Sequence, residues 1–126
     1  INVGDKVLAS VDKTFRQNLS KNHSATHLLQ KALQEVLCTN VHQAGSKVDD
    51  KRLRFDFKSD GTINDDQIIE VENLVNEKIK TDVLTVIKAM DIEEAKKMGA
   101  MALFSGKYGK IVRVVNIVDS VELCGL

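Results

Sequence analysis

The sequence is short of three things: cysteine, net charge and long apolar runs. Its two cysteines, Cys38 and Cys124, are too few for a disulfide framework and fit a reduced, cytoplasmic protein. Lysine plus arginine equals aspartate plus glutamate at 18 each, so the basic excess of a stand-alone nucleic-acid binder is missing. No apolar run approaches the roughly 20 residues that span a bilayer, and no secretory segment opens the chain, so we expect a soluble protein with no membrane partner.

The length of 126 residues suits one domain with a real core, so residues 1–126 are predicted to form a single domain. The chain starts at Ile1 rather than methionine, and Gly125 and Leu126 directly follow a strand-like run. These ends indicate a fragment of a longer protein. Val3 to Val11 alternates weakly and predicts a short strand, interpreted as a remnant of a preceding β module.

The longest predicted helix continues to about Leu37. Its start is open, because Thr14 with Gln17 makes a capping box, whereas Ser20 or Asn22 would also serve as an N-cap behind a short lead-in helix. Its apolar residues follow the i, i+3, i+4, i+7 spacing of one broad buried stripe. They are Ala25, Leu28, Leu29, Ala32, Leu33, Val36 and Leu37.

This helix carries two histidines, His23 and His27, four residues apart. That spacing puts them one above the other on one helical face, where both can reach a single cation. At about 100° per residue they cluster with Gln30 and Gln34 on the side away from the apolar stripe. We therefore expect the histidines to face a groove or solvent.

A hairpin is predicted after this helix. Strand-like runs at 41–48 and 51–58 flank Asp49 and Asp50, and Gly45 within the first run suggests a bulge or a close backbone approach. The second run alternates apolar with charged residues, which predicts one buried face.

The remaining sequence mixes helices and strands. Asn64 or Asp65 is predicted to cap a second helix, and Asp91 to cap a short helix from Ile92 to Met98. Six apolar residues of the second helix predict its buried face: Ile68, Ile69, Val71, Leu74, Val75 and Ile79. Further strands are predicted at 83–89, 111–118 and 121–124. The predicted class is α+β, with a mostly antiparallel sheet packed against the long His-x-x-x-His helix and further helices.

A His-x-x-x-His pair alone is weak evidence for a metal site, since many such pairs only face solvent. Ser24 stands where a zinc metalloprotease carries its catalytic glutamate, which disfavours a peptidase. Cys124, followed by glycine at the end of a strand, would add a thiolate to the two imidazoles; its alternative role is that of a small apolar residue. Cys38 is predicted to be an inert core thiol, and His42 a structural or solvent-facing residue.

Five separated blocks of sequence carry a family resemblance. They are 22–29 (NHSATHLL), 43–46 (QAGS), 53–57 (LRFDF), 99–104 with 107–109 (GAMALF, KYG) and 121–125 (VELCG). In this order they span about residues 12–125 and resemble the editing domain of alanyl-tRNA synthetase. Threonyl-tRNA synthetase has a related zinc-type editing module with a similar opening, but the second and fourth blocks look like the alanine branch.

The resemblance implies hydrolysis of the ester that joins a wrong amino acid, serine or glycine, to the alanine tRNA. It also implies a Zn²⁺ ion held by His23, His27 and Cys124. The family's cysteine and a further histidine come from a Cys-Gly-Gly-Thr-His segment, of which only Cys124 and Gly125 match here. Leu126 replaces the second glycine, so the fourth protein ligand is absent from this chain.

Two more residues gain roles from the resemblance. Thr26, about 100° around the helix from His27, would line the pocket that senses the serine hydroxyl. Gln43 would orient the attacking water or the substrate's amino group. Without the resemblance they are an ordinary helix threonine and a strand-surface glutamine. The metal would either activate water or fix the tRNA 3′ end against the ester.

The implied partners are the acceptor end of the alanine tRNA carrying the wrong amino acid and the remaining domains of the parent synthetase. Five basic residues are candidates for phosphate contacts, although a solvated charged face accounts equally well for each: Lys51, Arg52, Arg54, Lys107 and Lys110. Two alternatives stay open. One is a free-standing deacylase of the same superfamily that acts in trans, and the other is a non-catalytic tRNA-binding module.

Overall fold

The computed structural model describes residues 1–38, 41–81, 84–102, 109–117 and 120–124, except for the side chains at 101, 102, 120, 122 and 124. The described helices are α1 (Lys13–Leu37), α2 (Asp65–Lys80) and α3 (Ile92–Lys97). The described strands are β1 (His42–Val48), β2 (Leu53–Lys58), β3 (Thr85–Asp91), β4 (Met101–Ala102), β5 (Ile111–Ile117) and β6 (Ser120–Cys124).

The strands form two sheets. β1 and β2 make an antiparallel hairpin, and the second sheet has the order β3-β5-β6-β4. In that sheet β3 pairs antiparallel with β5, β5 antiparallel with β6, and β4 parallel with β6. The predicted α+β class with mostly antiparallel pairing is confirmed, with two sheets where one was expected. None of the described helices is long and apolar enough to cross a membrane.

Helix α1 begins with a single cap and is continuous. Asp12 is the N-cap, and its carboxylate accepts a hydrogen bond from the Phe15 backbone N–H at 2.7 Å. That bond satisfies one of the four N–H groups that a helix start leaves without a partner. The alternative starts at Thr14, Ser20 and Asn22 are therefore not used, and no separate lead-in helix forms.

The end of α1 falls at Leu37, as predicted. Cys38 follows in the left-handed conformation (φ 49°, ψ 27°) and is exposed. The prediction that Cys38 is a core thiol is wrong, because the left-handed residue turns the chain away before the apolar stripe can continue. Its thiol instead contacts the Glu35 carbonyl oxygen at 3.5 Å.

Residues 1–11 form no strand, so the strand predicted over 3–11 is wrong. The side chains of Val3, Val7, Leu8 and Val11 are largely exposed. A strand needs a neighbour that pairs with its backbone groups, and none of the described strands pairs with this segment. The alternation of apolar and polar residues over 3–11 was therefore not sufficient to predict a strand.

The first core lies between α1, α2 and the hairpin. It is centred on the buried residues Ala32, Leu33, Val41 and Val71, against which both hairpin phenylalanines pack. The predicted bulge is confirmed by a register shift between Gln43 and Gly45. The backbone approach there is close, since a Cβ on Gly45 would lie 3.0 Å from Asp56 Oδ2.

Helix α2 starts at the predicted cap. The Asn64 side chain accepts from the Gln67 N–H at 2.8 Å, and the Gln67 side chain accepts from the Asn64 N–H at 3.1 Å, which completes a capping box. Its buried face is narrower than predicted. Ile68, Ile69 and Ile79 are about half exposed, because the helix meets the core along the line of Val71 rather than across its whole apolar set.

The second sheet is covered on both faces. Val112 and Val114 of β5 pack with Ala95 of α3, whereas Val115 and Ile117 pack with Leu28 of α1. Residues on a strand alternate between faces, so these two sets lie on opposite sides of β5. The histidine-bearing helix α1 therefore has the second sheet as a neighbour.

Candidate functional site

The two histidines lie side by side in the middle of α1. Their ring centroids are 4.9 Å apart and their planes are inclined by 65°. His27 is only 6% exposed and Gln30 only 3%, so the polar side of α1 is covered rather than open to solvent. The apolar stripe packs against the hairpin and the second sheet, and the burial of His27 and Gln30 shows that α1 is also covered beyond the stripe.

A cavity of about 510 Å³ opens at the histidine pair. Its wall is built from α1, the end of β1 and the α1-facing side of the second sheet. The lining residues are Arg16, Leu19, Ser20, His23, Ser24, His27, Val48, Thr85, Ile87, Arg113 and Val115. The prediction that the histidines face a groove is confirmed, and three parts of the fold meet there.

The polar groups of this cavity favour an anion. Arg16 and Arg113 contribute two permanent positive charges, and Ser20, Ser24 and Thr85 contribute hydroxyl donors. None of the lining residues in the described part of the chain is acidic. The local charge is therefore positive although the formal net charge of the chain is zero.

The histidine pair fits two positions of a zinc site. With Zn–N bonds of about 2.1 Å in a tetrahedral arrangement, the centroids of two coordinated imidazoles would lie roughly 5 Å apart. The observed separation is 4.9 Å. Among the described side chains, however, no group of three or more His, Cys, Asp or Glu could hold a metal ion. The separation is compatible with shared coordination, and zinc binding by His23 and His27 stays a prediction.

The structure does not describe the side chain of Cys124, the third predicted ligand. Gly125 and Leu126 lie wholly outside the described residues. The backbone of Cys124 is described: this residue on β6 is registered opposite Arg113 on β5, and Arg113 lines the histidine cavity. Coordination of zinc by Cys124 stays a prediction.

Thr26 and Gln43 do not line this cavity. Thr26 is 8% exposed, and its hydroxyl donates to the Asn22 carbonyl oxygen at 2.8 Å. The Gln43 amide donates to Ser46 Oγ at 2.7 Å within the hairpin. The strand that carries Gln43 reaches the cavity only through Val48. The substrate roles of Thr26 and Gln43 remain predictions.

The hairpin turn is fastened to α1 next to the histidines. Asn22 Nδ2 donates to the Asp49 carbonyl oxygen at 2.8 Å. The backbone N–H groups of Lys51 and Arg52 donate to the Asp49 carboxylate and, with attraction from the Arg52 charge, lower the pKa of that carboxyl below its ordinary 3.8. The turn therefore favours the charged carboxylate.

Four of the five basic residues predicted as phosphate contacts are described, and none of these four lines the cavity. Arg52 and Arg54 are exposed on the hairpin and pair with Asp49 at 3.9 Å and Asp56 at 3.2 Å. Lys51 and Lys110 are exposed, and Lys107 lies outside the described residues.

Sequence reasoning missed the two arginines that do line the cavity, Arg16 and Arg113. The signal for Arg16 was available: it precedes His23 by seven residues and His27 by eleven, which places all three on one side of a helix. Arg113 had no comparable signal, because its distance from α1 is set by sheet pairing. Neither arginine entered the predicted site.

Comparison with known proteins gives one kind of match. No protein-family model matches the chain. Alanine–tRNA ligase from Staphylococcus aureus strain JH9 is 54% identical over 126 residues, which cover 99% of this chain and 14% of that ligase. The ligases of strains Newman and N315 give the same values. The chain is therefore similar, over nearly its whole length, to one segment of alanine–tRNA ligase.

Proposed function

We propose that this chain is the hydrolytic core of the editing domain of an alanyl-tRNA synthetase, and that it removes serine or glycine from wrongly charged alanine tRNA. The observation that carries the proposal is the His23–His27 pair, set at a cavity in a sequence 54% identical to an alanine–tRNA ligase segment. The cavity, at about 510 Å³, is within the size range of small-ligand sites and would admit the aminoacylated terminal nucleoside. Such a synthetase would work in the cytoplasm.

A second, hydrolytic site compensates for the limited selectivity of the pocket in which the amino acid is attached to the tRNA. A pocket sized for alanine cannot exclude the smaller glycine, and it rejects serine only weakly because serine adds a single hydroxyl. Removal after charging supplies the missing discrimination. The hydroxyl-rich wall of the cavity suits this task, since Ser20, Ser24 and Thr85 can hydrogen-bond a polar substrate.

His23, His27 and Cys124 would hold a zinc ion, with a fourth protein ligand from outside this chain. Such an ion, when bound, supplies a Lewis acid that polarises a carbonyl or lowers the pKa of water. The chain's own contribution is orientation and exclusion of solvent: His27 is buried, and its ring is held between α1 and the second sheet.

Thr26 and Gln43 enter the proposal as substrate-orienting residues. The Thr26 hydroxyl donates its proton to Asn22, and a hydroxyl oxygen can also accept, so a serine hydroxyl could donate to it. The Gln43 amide nitrogen donates to Ser46 Oγ, and the amide oxygen would accept a hydrogen bond from the ammonium group of the substrate. Both contacts require the substrate to extend beyond the described cavity.

Deacylation by a full-length ligase carrying this sequence at the matched segment tests the proposal. Seryl-tRNA and alanyl-tRNA for the alanine tRNA are incubated with the natural protein, His27→Ala and His23→Ala. We expect rapid loss of serine but not alanine, and serine release slowed by at least roughly 10- to 100-fold in both variants, the loss that mutation of residues behind metal ligands already produces.

His42→Ala is the matched control, because His42 is an exposed histidine on β1 that does not line the cavity. It should hydrolyse seryl-tRNA at the natural rate. Equal decay of both esters, unaffected by either cavity variant, would remove the editing proposal.

A further inference from the structure

We propose that Arg16 and Arg113 form an anion clamp in the histidine cavity, which binds the last phosphodiester of the RNA 3′ end and so positions the adjacent ester. The identification of the ligand as RNA rests on the proposed function. The clamp itself rests on where these two arginines lie and on what surrounds them.

Arg16 is placed by the regular geometry of α1. Arg16, Ser20, His23 and His27 follow one side of the helix and all line the cavity. At about 1.5 Å rise per residue, Arg16 lies roughly 10 Å along the axis from His23. Arg16 is exposed, whereas His27 is buried, so the arginine stands at the solvent end of the row.

Arg113 is placed by the sheet. It lies between Val112 and Val114, which are 3% and 2% exposed and pack on the opposite face with α3. Alternation therefore puts Arg113 on the same side of β5 as Val115, which packs with α1. Its backbone is fixed by pairing with Ala89 on β3 and Cys124 on β6. A long side chain is thus held on a rigid strand at the cavity wall.

The charges of these two arginines are not neutralised within the described part of the chain. Arg52 and Arg54, by contrast, each form an ion pair with an aspartate of the hairpin. No salt bridge joins Arg16 or Arg113 to a described acidic residue, and no described residue of the cavity wall is acidic. Two unneutralised guanidinium groups at one cavity favour an anionic ligand.

The chemistry of an aminoacylated RNA end identifies which group the arginines would bind. The amino acid is esterified, so it has no carboxylate, and its ammonium group is repelled by guanidinium. The phosphodiester before the terminal nucleoside is the anion closest to the ester. Its two oxygens match the paired N–H donors of arginine.

A binding cycle tests this assignment in the full-length ligase. The probes are two RNA minihelices with a non-hydrolysable seryl amide at the 3′ end, one with a natural terminal phosphodiester and one with an uncharged methylphosphonate there. The natural protein should bind the phosphodiester RNA, called the charged RNA below, at least tenfold more tightly than the methylphosphonate RNA, the size of effect expected for a charge-assisted hydrogen bond. In Arg16→Gln and Arg113→Gln the ratio of the two affinities should shrink towards one.

Arg54→Gln is the matched control, because it removes the same charge from an exposed hairpin position. Whatever affinity it loses should be the same for both RNAs. Each cavity variant should also reduce the slope of log affinity against log salt by about 0.7, as loss of one contact to a single-stranded phosphate predicts. A preference for the charged RNA that both cavity variants retain in full would overturn the clamp.

A parallel assay separates this proposal from the editing proposal. Hydrolysis of seryl-adenosine, which has the ester but no phosphodiester, should fall by a smaller factor in Arg16→Gln and Arg113→Gln than hydrolysis of seryl-RNA does. If the natural protein binds the charged RNA selectively but hydrolyses no ester, the editing proposal fails and the clamp stands. If it hydrolyses esters but shows no preference between the RNAs, the clamp fails alone.

Discussion

Truncation of Leu123 is predicted to destabilise the second sheet severely. Leu123 of β6 is 0% exposed and packs with Val112, Val114 and Ala95. Replacing a buried leucine by alanine costs about 2.7–5.0 kcal/mol, and more where the surroundings cannot collapse into the space. Because the β5 neighbours are held by ladder hydrogen bonds on both sides, we expect Leu123→Ala to cost about 3–4 kcal/mol.

Urea unfolding followed by circular dichroism measures this cost. With a slope of about 1.5 kcal/mol per M, the midpoint should fall by roughly 2 M. Ile111→Ala is the control, because it removes aliphatic carbon from the same sheet at a residue that is 56% exposed; it should cost less than about 1 kcal/mol. Similar midpoints for the two variants would refute the reasoning that the burial of Leu123 stabilises the second sheet.

Three smaller changes test local features. Asn64→Ala removes the α2 capping box and should lower the free energy of unfolding by about 1 kcal/mol, whereas Asn64→Ser should keep most of it; urea unfolding compares them, and equal values would contradict the cap. Cys38→Val places a β-branched residue at φ 49° and should destabilise by about 1–2 kcal/mol relative to Cys38→Gly; thermal melting distinguishes the two, and a more stable valine variant would show that the strain is absent. The pKa of Asp49 is lower in the folded than in the unfolded chain, so the ionised carboxylate stabilises the fold at a pH above its ordinary pKa. This stabilisation is lost as the pH falls through the folded-state pKa, so between about pH 5 and pH 2 the urea midpoint of the natural protein should fall relative to that of Asp49→Asn. A difference in midpoint that does not change with pH would contradict this role of Asp49.

The parts of the fold that the sequence predicts well are those determined by neighbouring residues. The caps at Asn64 and Asp91 need only a side chain and the next backbone N–H groups. The hairpin bulge at Gly45 needs only the local strand pair. Strand β5 is recognised by its five β-branched apolar residues, which are abundant because both faces of the strand are covered.

The predictions that fail depend on distant partners. The segment 3–11 alternates like a strand, but none of the described strands pairs with it. Helix α1 shows a single apolar stripe, yet His27 and Gln30 on its polar side are buried, and the cavity at His27 is lined by residues more than 50 positions further along the chain. For the same reason Arg113 could not be placed beside the histidines before the sheet order was known.

The candidate site divides in the same way. The spacing of His23 and His27 follows from one helix, so their pairing could be predicted and is confirmed at 4.9 Å. The roles of Thr26 and Gln43 came from the family resemblance, and neither residue lines the histidine cavity. The cavity's arginines and hydroxyls were found only when three separate parts of the fold were brought together.

The X-ray absorption spectrum at the zinc edge, recorded on the 126-residue chain after zinc is added, tests the central claim most directly. The account predicts two nitrogen neighbours at about 2.0–2.1 Å and one sulfur neighbour at about 2.3 Å, with the sulfur lost in Cys124→Ser. A spectrum with only light-atom neighbours, identical in the natural chain and in Cys124→Ser, would contradict a metal centre formed by the histidine pair together with Cys124.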